Sequence, residues 1–208
     1  MVGPTHLLAA ASSVLAVAGC VAGAYLLGTF PSARLAARHE GVDPTAAGSG
    51  NPGATNVYRT AGRRAGALTL AGDLFKGAAA AGVGWAVGGH GLGVACGVAA
   101  VAGHVAPLTR RLQGGKGVAT GAGMALVLFP LPALVSGAAF AVVTGLSRRV
   151  SLGSMAAVAV LPVAAGLLGA PGLEVAALAA SAVLVIARHR ANIGRLWRGE
   201  EPRFGTAA

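Results

Sequence analysis

Apolar runs long enough to cross a lipid bilayer make up most of this 208-residue chain. A helical crossing needs about 20 predominantly apolar residues, and runs of this kind recur here with short polar breaks between them. Charged residues amount to only 11% of the chain, against about 25% in soluble domains. Because unpaired backbone groups are costly in lipid, such runs cross as helices. The sequence therefore predicts an all-α integral membrane protein.

The apolar runs predict about seven transmembrane helices, two of them short, in a single membrane-embedded domain over residues 1–208. Pro130 and Pro132 divide the fourth run from the fifth, since proline removes a backbone donor and restrains the residue before it. One long kinked helix across this break, giving six spans, is the alternative. The predicted spans lie near 7–28, 66–88, 92–108, 117–129, 131–146, 152–169 and 173–187, followed by a tail at 188–208.

The positions of the basic residues favour seven spans over six. All 16 Lys and Arg residues except Lys76 lie in four segments, at 30–65, 109–116, 147–151 and 188–203. Cytoplasmic loops carry the excess of Lys and Arg, and only seven spans place all four segments on one side. We therefore expect the N-terminus outside and the C-terminus in the cytoplasm. The net charge of +10 then reflects topology, and nucleic acid is not an expected partner.

The longest polar stretch contains a glycine-rich segment that predicts an anion site. Between Gly48 and Arg59, glycines free the backbone to turn its N–H groups toward one point. Arg59 can bind a phosphate through its planar fork. A capped turn leading into the next helix is the alternative. The candidate ligand residues of this segment are Gly48, Ser49, Gly50, Asn51, Asn56 and Arg59.

A second glycine-rich turn opens directly into an apolar helix. In Gly114-Gly115-Lys116-Gly117, a lysine stands beside a helix N-terminus, a combination that attracts phosphate. The nucleotide-binding pattern G-x-x-x-x-G-K-[ST] is not matched, because Gly117 and Val118 follow the lysine. Gly115 and Lys116 are therefore candidate phosphate ligands, with a topology anchor as the alternative for Lys116.

Two further basic segments lie at the mouths of predicted spans. Arg148 and Ser151 combine a cation with a hydroxyl, and His189 and Asn192 are three residues apart, so that they share a face if the helix continues. Arg188 and Arg195 are candidates either for this site or for lipid head-group contacts, and for Arg198 and Arg203 we expect lipid head-group contacts. Asp73 and Lys76 lie inside the second span at the same spacing, as a structural ion pair or as part of a site.

The residues do not suggest a metal or a cofactor. No carboxylate cluster or His/Cys set has metal-ligand spacing. No histidine is followed by Asp five positions later, so the H-x-x-x-x-D pair that soluble-type acyltransferases contain is absent. The four segments share glycine-rich turns, hydroxyls and cations, whose common ligand is phosphate. A reaction at this site would depend on positioning and electrostatic stabilisation.

These segments resemble the bacterial membrane glycerol-3-phosphate acyltransferases that use acyl phosphate. The resemblance covers roughly residues 24–203 and rests on four ordered blocks. It implies a seven-span fold in the bacterial inner membrane with a cytoplasmic site. The blocks are Gly48–Arg59 with Asp73-Leu74-Phe75-Lys76-Gly77, Gly103-His104 through Thr120, Val150–Ser154, and Arg188-His189-Arg190 with Asn192-Ile193.

The resemblance implies that a fatty acyl group moves from acyl phosphate to the 1-hydroxyl of glycerol 3-phosphate, giving lysophosphatidic acid and phosphate. These two substrates and the membrane lipids are then the partners, with no cofactor and no obligatory protein partner. We expect His189, Lys116 and Ser49 to act in catalysis. Arg59, Arg148, Ser151 and Asn192 would join them around the two phosphates. The rival function is an organophosphate transporter, which usually binds at the bilayer midplane between repeats.

Overall fold

A computed structural model describes residues 4–204 of the chain, with side chains from residue 13 onward. Over that range the fold is entirely helical, as the apolar runs predict. A short 3₁₀ turn at Leu108–Arg110 precedes the fourth α-helix. The helices are α1 (Pro4–Gly28), α2 (Ser32–Arg38), α3 (Ala54–Val105), α4 (Val118–Leu128), α5 (Pro130–Ser147), α6 (Val150–Leu167), α7 (Gly172–Arg188) and α8 (Arg190–Trp197).

The long helix α3 is divided by glycines that adopt non-helical dihedrals. Gly62 has φ of 85° and Gly89 has φ of 81°, values that residues with a Cβ rarely adopt. We call the resulting pieces α3a (54–61), α3b (63–87) and α3c (90–105). Ala80 of α3b and Cys96 of α3c pack in one apolar cluster, so the chain reverses at Gly89. α3b and α3c therefore form an antiparallel helical hairpin.

Helix boundaries agree with the predicted spans to within a few residues. The sequence did not predict α3a, with which helical structure begins at Ala54, directly before α3b. The 30–65 segment is consequently shorter as a loop than its polarity suggests. The predicted break at 129–132 is confined to Phe129, which has φ of −135°. Pro130 begins α5, where its missing N–H costs no helical hydrogen bond.

The turns of the bundle separate into two groups at opposite ends. At one end, which we call the turn end, His90 lies 2.9 Å from both Glu174 Oε1 and the Leu128 carbonyl oxygen. These contacts join the α3b–α3c turn to the end of α4 and the start of α7. The other connections lie at the opposite end, the loop end. Every basic segment identified in the sequence is at the loop end.

Small residues allow α4 to cross α3b at close range. A Cβ at Gly77 would overlap the Thr120 carbonyl oxygen, and one at Gly123 would overlap the Leu74 carbonyl oxygen. Close approach of this kind is typical of helices that pack in membranes. The crossing fixes α4 against α3b and so places the N-terminus of α4, with Lys116 just before it, at the loop end.

Four helical stretches among the described residues are long and apolar enough to cross a membrane, and five if α7 and α8 form one bent span. One of these stretches, Ala54–Arg110, contains both arms of the hairpin. α4 has only 11 residues, fewer than a full crossing needs. The predicted number of seven therefore depends on dividing α3 and on including the short α4, and it stays a prediction.

Candidate functional site

A cavity of about 420 Å³ lies among α3b, α4, α5, α6 and α7 and reaches the loop end. Its polar part is formed where the loop-end segments meet. Its apolar part continues between the helices toward the turn end. The polar part includes Ser49, Asn51, Thr55, Asn56, Arg59, Asp73, His104, Lys116, Ser151, His189, Asn192, Arg195 and Glu201.

The 48–56 loop is organised by the buried side chain of Asn56. Asn56 Oδ1 accepts a hydrogen bond from the Ser49 backbone N–H at 2.9 Å, and Asn56 Nδ2 donates to the carbonyl oxygens of Pro44 and Ala47 at 2.9 and 3.1 Å. Gly48, with φ of 59°, packs so closely that a Cβ would overlap Asn56 Oδ1. Asn56 therefore holds the loop, although the sequence suggests it as a ligand.

Three backbone N–H groups of this loop, including those of the two residues that follow Gly48, donate to acceptors within it. Besides the Ser49 N–H, the Gly50 N–H donates to Ala47 and the Gly53 N–H donates to Asn51. The predicted nest of free N–H groups is therefore wrong for Ser49 and Gly50. The segment instead contributes side chains to the cavity wall, namely those of Ser49, Asn51 and Arg59.

The Gly114–Gly117 turn is fixed from two sides. Arg188 donates from its guanidinium to the Gly114 carbonyl oxygen at 2.9 Å and to that of Gly115 at 3.4 Å. The Gly115 N–H donates to the His104 carbonyl oxygen at 3.1 Å. Gly117 adopts a left-handed conformation with φ of 89°, and α4 begins directly after it. Gly115 thus shapes the turn, while the side chain that reaches the cavity is that of Lys116.

The pKa of Lys116 is lowered by its surroundings. Burial lowers its pKa from 10.5 to about 8, and the nearby charges of Arg195, Arg59 and Arg188 act in the same direction, while Glu201 opposes them. Desolvation and like charges both disfavour a protonated amine. An anion bound beside Lys116 would relieve this effect, so the electrostatics of the turn suit it to bind an anion.

His189 stands at the bend between α7 and α8, whose axes differ by 56°. Its Nδ1 lies 2.8 Å from the Val185 carbonyl oxygen, and since a carbonyl only accepts, Nδ1 carries the proton. Burial, which the charge of Lys116 reinforces, lowers the pKa of His189 to about 4. The imidazole is therefore neutral at pH 7. Nε2 is left as a hydrogen-bond acceptor for a ligand in the cavity.

Asn192 lies on the same wall although the helix does not continue straight through His189. Asn192 Nδ2 donates to Glu201 Oε1 at 2.7 Å. Its Oδ1 is buried with no hydrogen-bond partner among the described residues. Ser151 Oγ at the start of α6 is also buried without a partner at hydrogen-bond distance among the described residues, although it lies near enough to Glu201 to help lower the pKa of that carboxyl. Both residues line the cavity, and a rotation of either side chain would turn its oxygen toward a substrate hydroxyl.

Five of the predicted ligand residues do not line the cavity, namely Gly48, Gly50, Lys76, Gly115 and Arg148. Lys76 is buried beneath it, where its ammonium lies 2.8 Å from Asp73 Oδ1 and 3.3 Å from the Phe30 carbonyl oxygen. Arg148 caps α5 with φ of 56°, and its carbonyl oxygen accepts from the Phe204 N–H at 2.6 Å. Lys76 and Arg148 therefore support the site from outside its wall.

The sequence of this chain is similar to those of known proteins over most of its length. The sequence profile of the glycerol-3-phosphate acyltransferase family matches residues 18–199. The glycerol-3-phosphate acyltransferase of Trichlorobacter lovleyi is 42% identical over 186 residues, covering 88% of this chain and 95% of the relative. That of Geobacter sulfurreducens is 44% identical over 182 residues, covering 87% and 94%.

A solved structure matches the fold over almost its whole length. The crystal structure of PlsY (YgiH), an integral membrane glycerol 3-phosphate acyltransferase, in its glycerol 3-phosphate form has a TM-score of 0.87 and 36% identity. The match covers 92% of this chain and 96% of that one. The lysophosphatidic acid form of PlsY gives a TM-score of 0.85.

The chain belongs to the glycerol-3-phosphate acyltransferase family. It is accordingly a multi-pass membrane protein. The resemblance noted in the sequence is confirmed at the level of the family. The roles of individual residues are not decided by that match, and they rest on the geometry of the cavity.

Sequence reasoning missed a carboxylate at the cavity. Glu201, from the tail after α8, is buried against Arg195, whose Nε lies 2.8 Å from Glu201 Oε2. Burial raises the pKa of Glu201, but the polar side chains of Ser151, Asn192 and Arg195 outweigh it and hold the pKa below its usual value. The signal available in the sequence was an acidic pair, Glu200-Glu201, in an otherwise basic tail.

The apolar part of the cavity lies between α4, α5, α6 and α7. It leaves the polar part near Val185 and Ser154 and follows the facing sides of α5 and α6. Its lining suits a hydrocarbon chain, because apolar side chains form its wall over several helical turns. These side chains include Met124, Leu126, Ala133, Phe140, Val158, Leu161 and Leu178.

Proposed function

We propose that this protein transfers a fatty acyl group from acyl phosphate to the 1-hydroxyl of glycerol 3-phosphate, giving lysophosphatidic acid and inorganic phosphate. The observation that carries the proposal is the continuity of the cavity. Its cationic polar part adjoins an apolar part between helices, which suits an amphiphile with a phosphate at one end. The relatives are named glycerol-3-phosphate acyltransferases, and PlsY has been solved in glycerol 3-phosphate and lysophosphatidic acid forms.

The polar part has the charges that two phosphate-bearing substrates require. Arg59, Lys116 and Arg195 contribute cations to its wall, and the N-terminus of α4 adds a partial positive charge. These groups offset the repulsion between the two phosphates and the negative charge that develops on the acyl carbonyl oxygen. Ser49, Ser151 and Asn192 contribute neutral polar groups, which can orient the glycerol hydroxyls.

The proposed reaction is a direct substitution at the acyl carbon. The 1-hydroxyl oxygen attacks the carbonyl carbon of the acyl phosphate, and the bond from that carbon to the bridging phosphate oxygen breaks. Inorganic phosphate leaves with the bonding electron pair. The hydroxyl proton passes to His189 Nε2, which is neutral and accepts, or to a phosphate oxygen. Because the mixed anhydride is already activated, positioning and charge stabilisation supply the catalysis.

Donor choice tests this proposal. Purified protein in detergent, supplied with labelled glycerol 3-phosphate and either palmitoyl phosphate or palmitoyl-CoA, should form lysophosphatidic acid rapidly only from palmitoyl phosphate. The compact cationic wall around Lys116 fits a phosphate leaving group. Activity with palmitoyl-CoA alone would contradict the proposal. Protein carrying Lys116→Met, prepared in parallel, controls for a contaminating acyltransferase.

We further propose that the chain crosses the bacterial inner membrane seven times, with the N-terminus outside and the loop end in the cytoplasm. The positive-inside rule and the collection of basic segments at the loop end support this orientation. The seven crossings are α1, α3b, α3c, α4, α5, α6 and α7.

Accessibility of single cysteines tests the orientation. In a background with Cys20 and Cys96 replaced by Ala, cysteines at Arg64, Gln113 and Ser147 should react with an impermeant maleimide only in inside-out vesicles. A cysteine at Pro171 should react only in right-side-out vesicles. Labelling of positions 113 and 147 from opposite sides would rule out seven crossings, because α4 and α5 would then form a single span.

A further inference from the structure

A buried carboxylate beside the acyltransferase cavity has two basic partners, although one would neutralise it. Asp73 Oδ1 lies 2.8 Å from Lys76 Nζ and 3.6 Å from His104 Nδ1. All three side chains are buried. A buried charge without a partner is strongly destabilising. Lys76, one helical turn away, already pairs with the Asp73 carboxylate and removes that cost. The contact of Asp73 with His104, across the hairpin from α3b to α3c, is therefore not explained by charge balance alone.

His104 is in contact with the glycine-rich turn that carries Lys116. Its carbonyl oxygen accepts the Gly115 N–H at 3.1 Å, and a Cβ at Gly114 would overlap this same carbonyl oxygen. A Cβ at Gly115 would instead overlap Nε2 of the His104 ring. The ring thus lies directly under Gly115, with its opposite side toward Asp73. It is a spacer between a fixed carboxylate and the backbone of the turn.

We propose that Asp73 and His104 are positioning residues. They fix the position of the Gly115–Lys116 backbone and thereby direct the Lys116 side chain toward the phosphate of glycerol 3-phosphate. Asp73 fixes the His104 ring, the ring supports Gly115, and Gly115 places the lysine that follows it. Lys76 neutralises Asp73 from beneath and attaches it to the Phe30 carbonyl oxygen at 3.3 Å. This inference rests on the proposed function, since it identifies which residues orient a ligand group of that site.

The close approach of the turn to the backbone and the ring of His104 explains why two adjacent glycines are needed. Gly114 faces backbone that no substitution can remove, whereas Gly115 faces a side chain that can be removed. The two positions therefore form a matched pair for experiment. The same substitution, glycine to alanine, meets a permanent obstacle at Gly114 and a removable one at Gly115.

A double-variant cycle tests the role of the ring. We expect Gly115→Ala alone to raise the KM for glycerol 3-phosphate by about tenfold or more, with a smaller change in kcat. In a His104→Ala background, which itself has a raised KM, adding Gly115→Ala should change KM by less than about threefold. Adding Gly114→Ala to the same background should keep its full effect. Equal effects of Gly115→Ala in both backgrounds would overturn the proposal.

A second cycle separates positioning by Asp73 from structural charge pairing. Asp73→Asn and Lys76→Met each leave a partner unpaired, so both should lower the Tm in detergent. The double variant Asp73→Asn/Lys76→Met should regain Tm. If Asp73 positions His104, the double variant should still show a KM for glycerol 3-phosphate raised by about fivefold or more. A normal KM in this stable double variant would overturn the role of Asp73.

Failure of this inference is distinguishable from failure of the proposed function. Wild-type protein that forms no lysophosphatidic acid from acyl phosphate contradicts the proposed function. Wild-type activity together with an unchanged KM in the stable variants contradicts only the positioning role. Should the charge-pair variants not fold, the glycine cycle in the His104→Ala background still decides whether the His104 ring positions the turn.

Discussion

Two histidines at opposite ends of the bundle have opposite environments. At the turn end, both ring nitrogens of His90 lie 2.9 Å from oxygen acceptors, Glu174 Oε1 and the Leu128 carbonyl. Both nitrogens therefore act as donors, and the ring fastens three segments together. At the loop end, only Nδ1 of His189 has an acceptor, and burial together with the charge of Lys116 outweighs the opposing charge of Glu201. His189 is neutral, with one nitrogen left for a ligand.

The difference shows where the molecule uses polar groups for stability and where it keeps them for function. His90 also packs edge-on against Trp85 and Phe129, so its ring is fixed by neighbours on several sides. Buried oxygens without hydrogen-bond partners in the described structure occur at both ends, those of Ser151 and Asn192 in the cavity wall and Glu174 Oε2 at the turn end, but Glu174 does not line the cavity. Such atoms cost stability unless a ligand or water satisfies them. We therefore expect substitutions at the two ends to separate stability from activity.

The largest effect on activity should come from Lys116→Met. It removes a cation from the start of α4 while keeping a side chain of similar length. We expect kcat/KM for glycerol 3-phosphate to fall by about 10²- to 10³-fold, measured by the formation of lysophosphatidic acid. The Tm in detergent should not fall, because the protein no longer buries that charge. A large fall in Tm with a small loss of activity would place Lys116 with the structural residues.

Substitution of His189 should have the next largest effect and reveals its role. If Nε2 positions a substrate group, His189→Gln, which keeps a polar atom near that place, should retain clearly more activity than His189→Ala. We expect His189→Ala to lose about 10- to 100-fold in kcat/KM and Asn192→Ala to show a similar defect. Lys116→Met should be more damaging than His189→Gln. Equal losses in the Gln and Ala variants would instead indicate that His189 is the general base.

At the turn end, His90→Ala should lower stability and leave activity nearly unchanged. Removing the ring leaves Glu174 without its partner and frees the Leu128 carbonyl oxygen, so we expect about 1–3 kcal/mol of lost stability. Activity measured well below the Tm should stay within about threefold of wild type. The matched control is His189→Ala, which should lose activity with little loss of Tm. A His90→Ala protein as stable as wild type would show that the turn end is not fastened by this residue.

The smallest effect is a pH dependence that follows from the lowered pKa of Lys116. With a pKa of about 8, Lys116 is charged at pH 7 and becomes neutral as the pH rises above 8. We expect kcat/KM for glycerol 3-phosphate to fall between pH 8 and 9.5, while kcat changes less because bound phosphate favours the protonated form. Lys116→Arg, whose side chain stays charged, should lack this fall. An identical alkaline decline in that variant would assign it to another group.

The features that were predictable from the sequence are those that depend on a short run of consecutive residues. Apolar runs predict the helices because the bilayer sets their length, and the Gly114–Gly117 turn combines glycines and a lysine within one short segment. Contacts between distant residues were not predictable. Glu201 meets Asn192 through the folding back of the tail, and His104 meets Gly115 through a turn that no local pattern encodes.

The same limitation explains the residues whose placement differs. The glycines before Asn51 suggest a nest of free N–H groups, but the Asn56 side chain takes the Ser49 N–H. Lys76 resembles a ligand by charge, and it is instead neutralised by Asp73 below the cavity. In both cases a partner satisfies the group before any ligand can, and residue type alone does not show which partner is nearer.

Tracing the oxygen atom of the acceptor tests the central claim most directly. Glycerol 3-phosphate labelled with ¹⁸O at its 1-hydroxyl would be combined with palmitoyl phosphate and purified protein, and the products analysed by mass spectrometry. Direct attack by that hydroxyl on the acyl carbon predicts that all of the ¹⁸O remains in lysophosphatidic acid, with one unlabelled phosphate released per ester formed. Appearance of ¹⁸O in the inorganic phosphate, or ester formation without release of phosphate, would contradict the account.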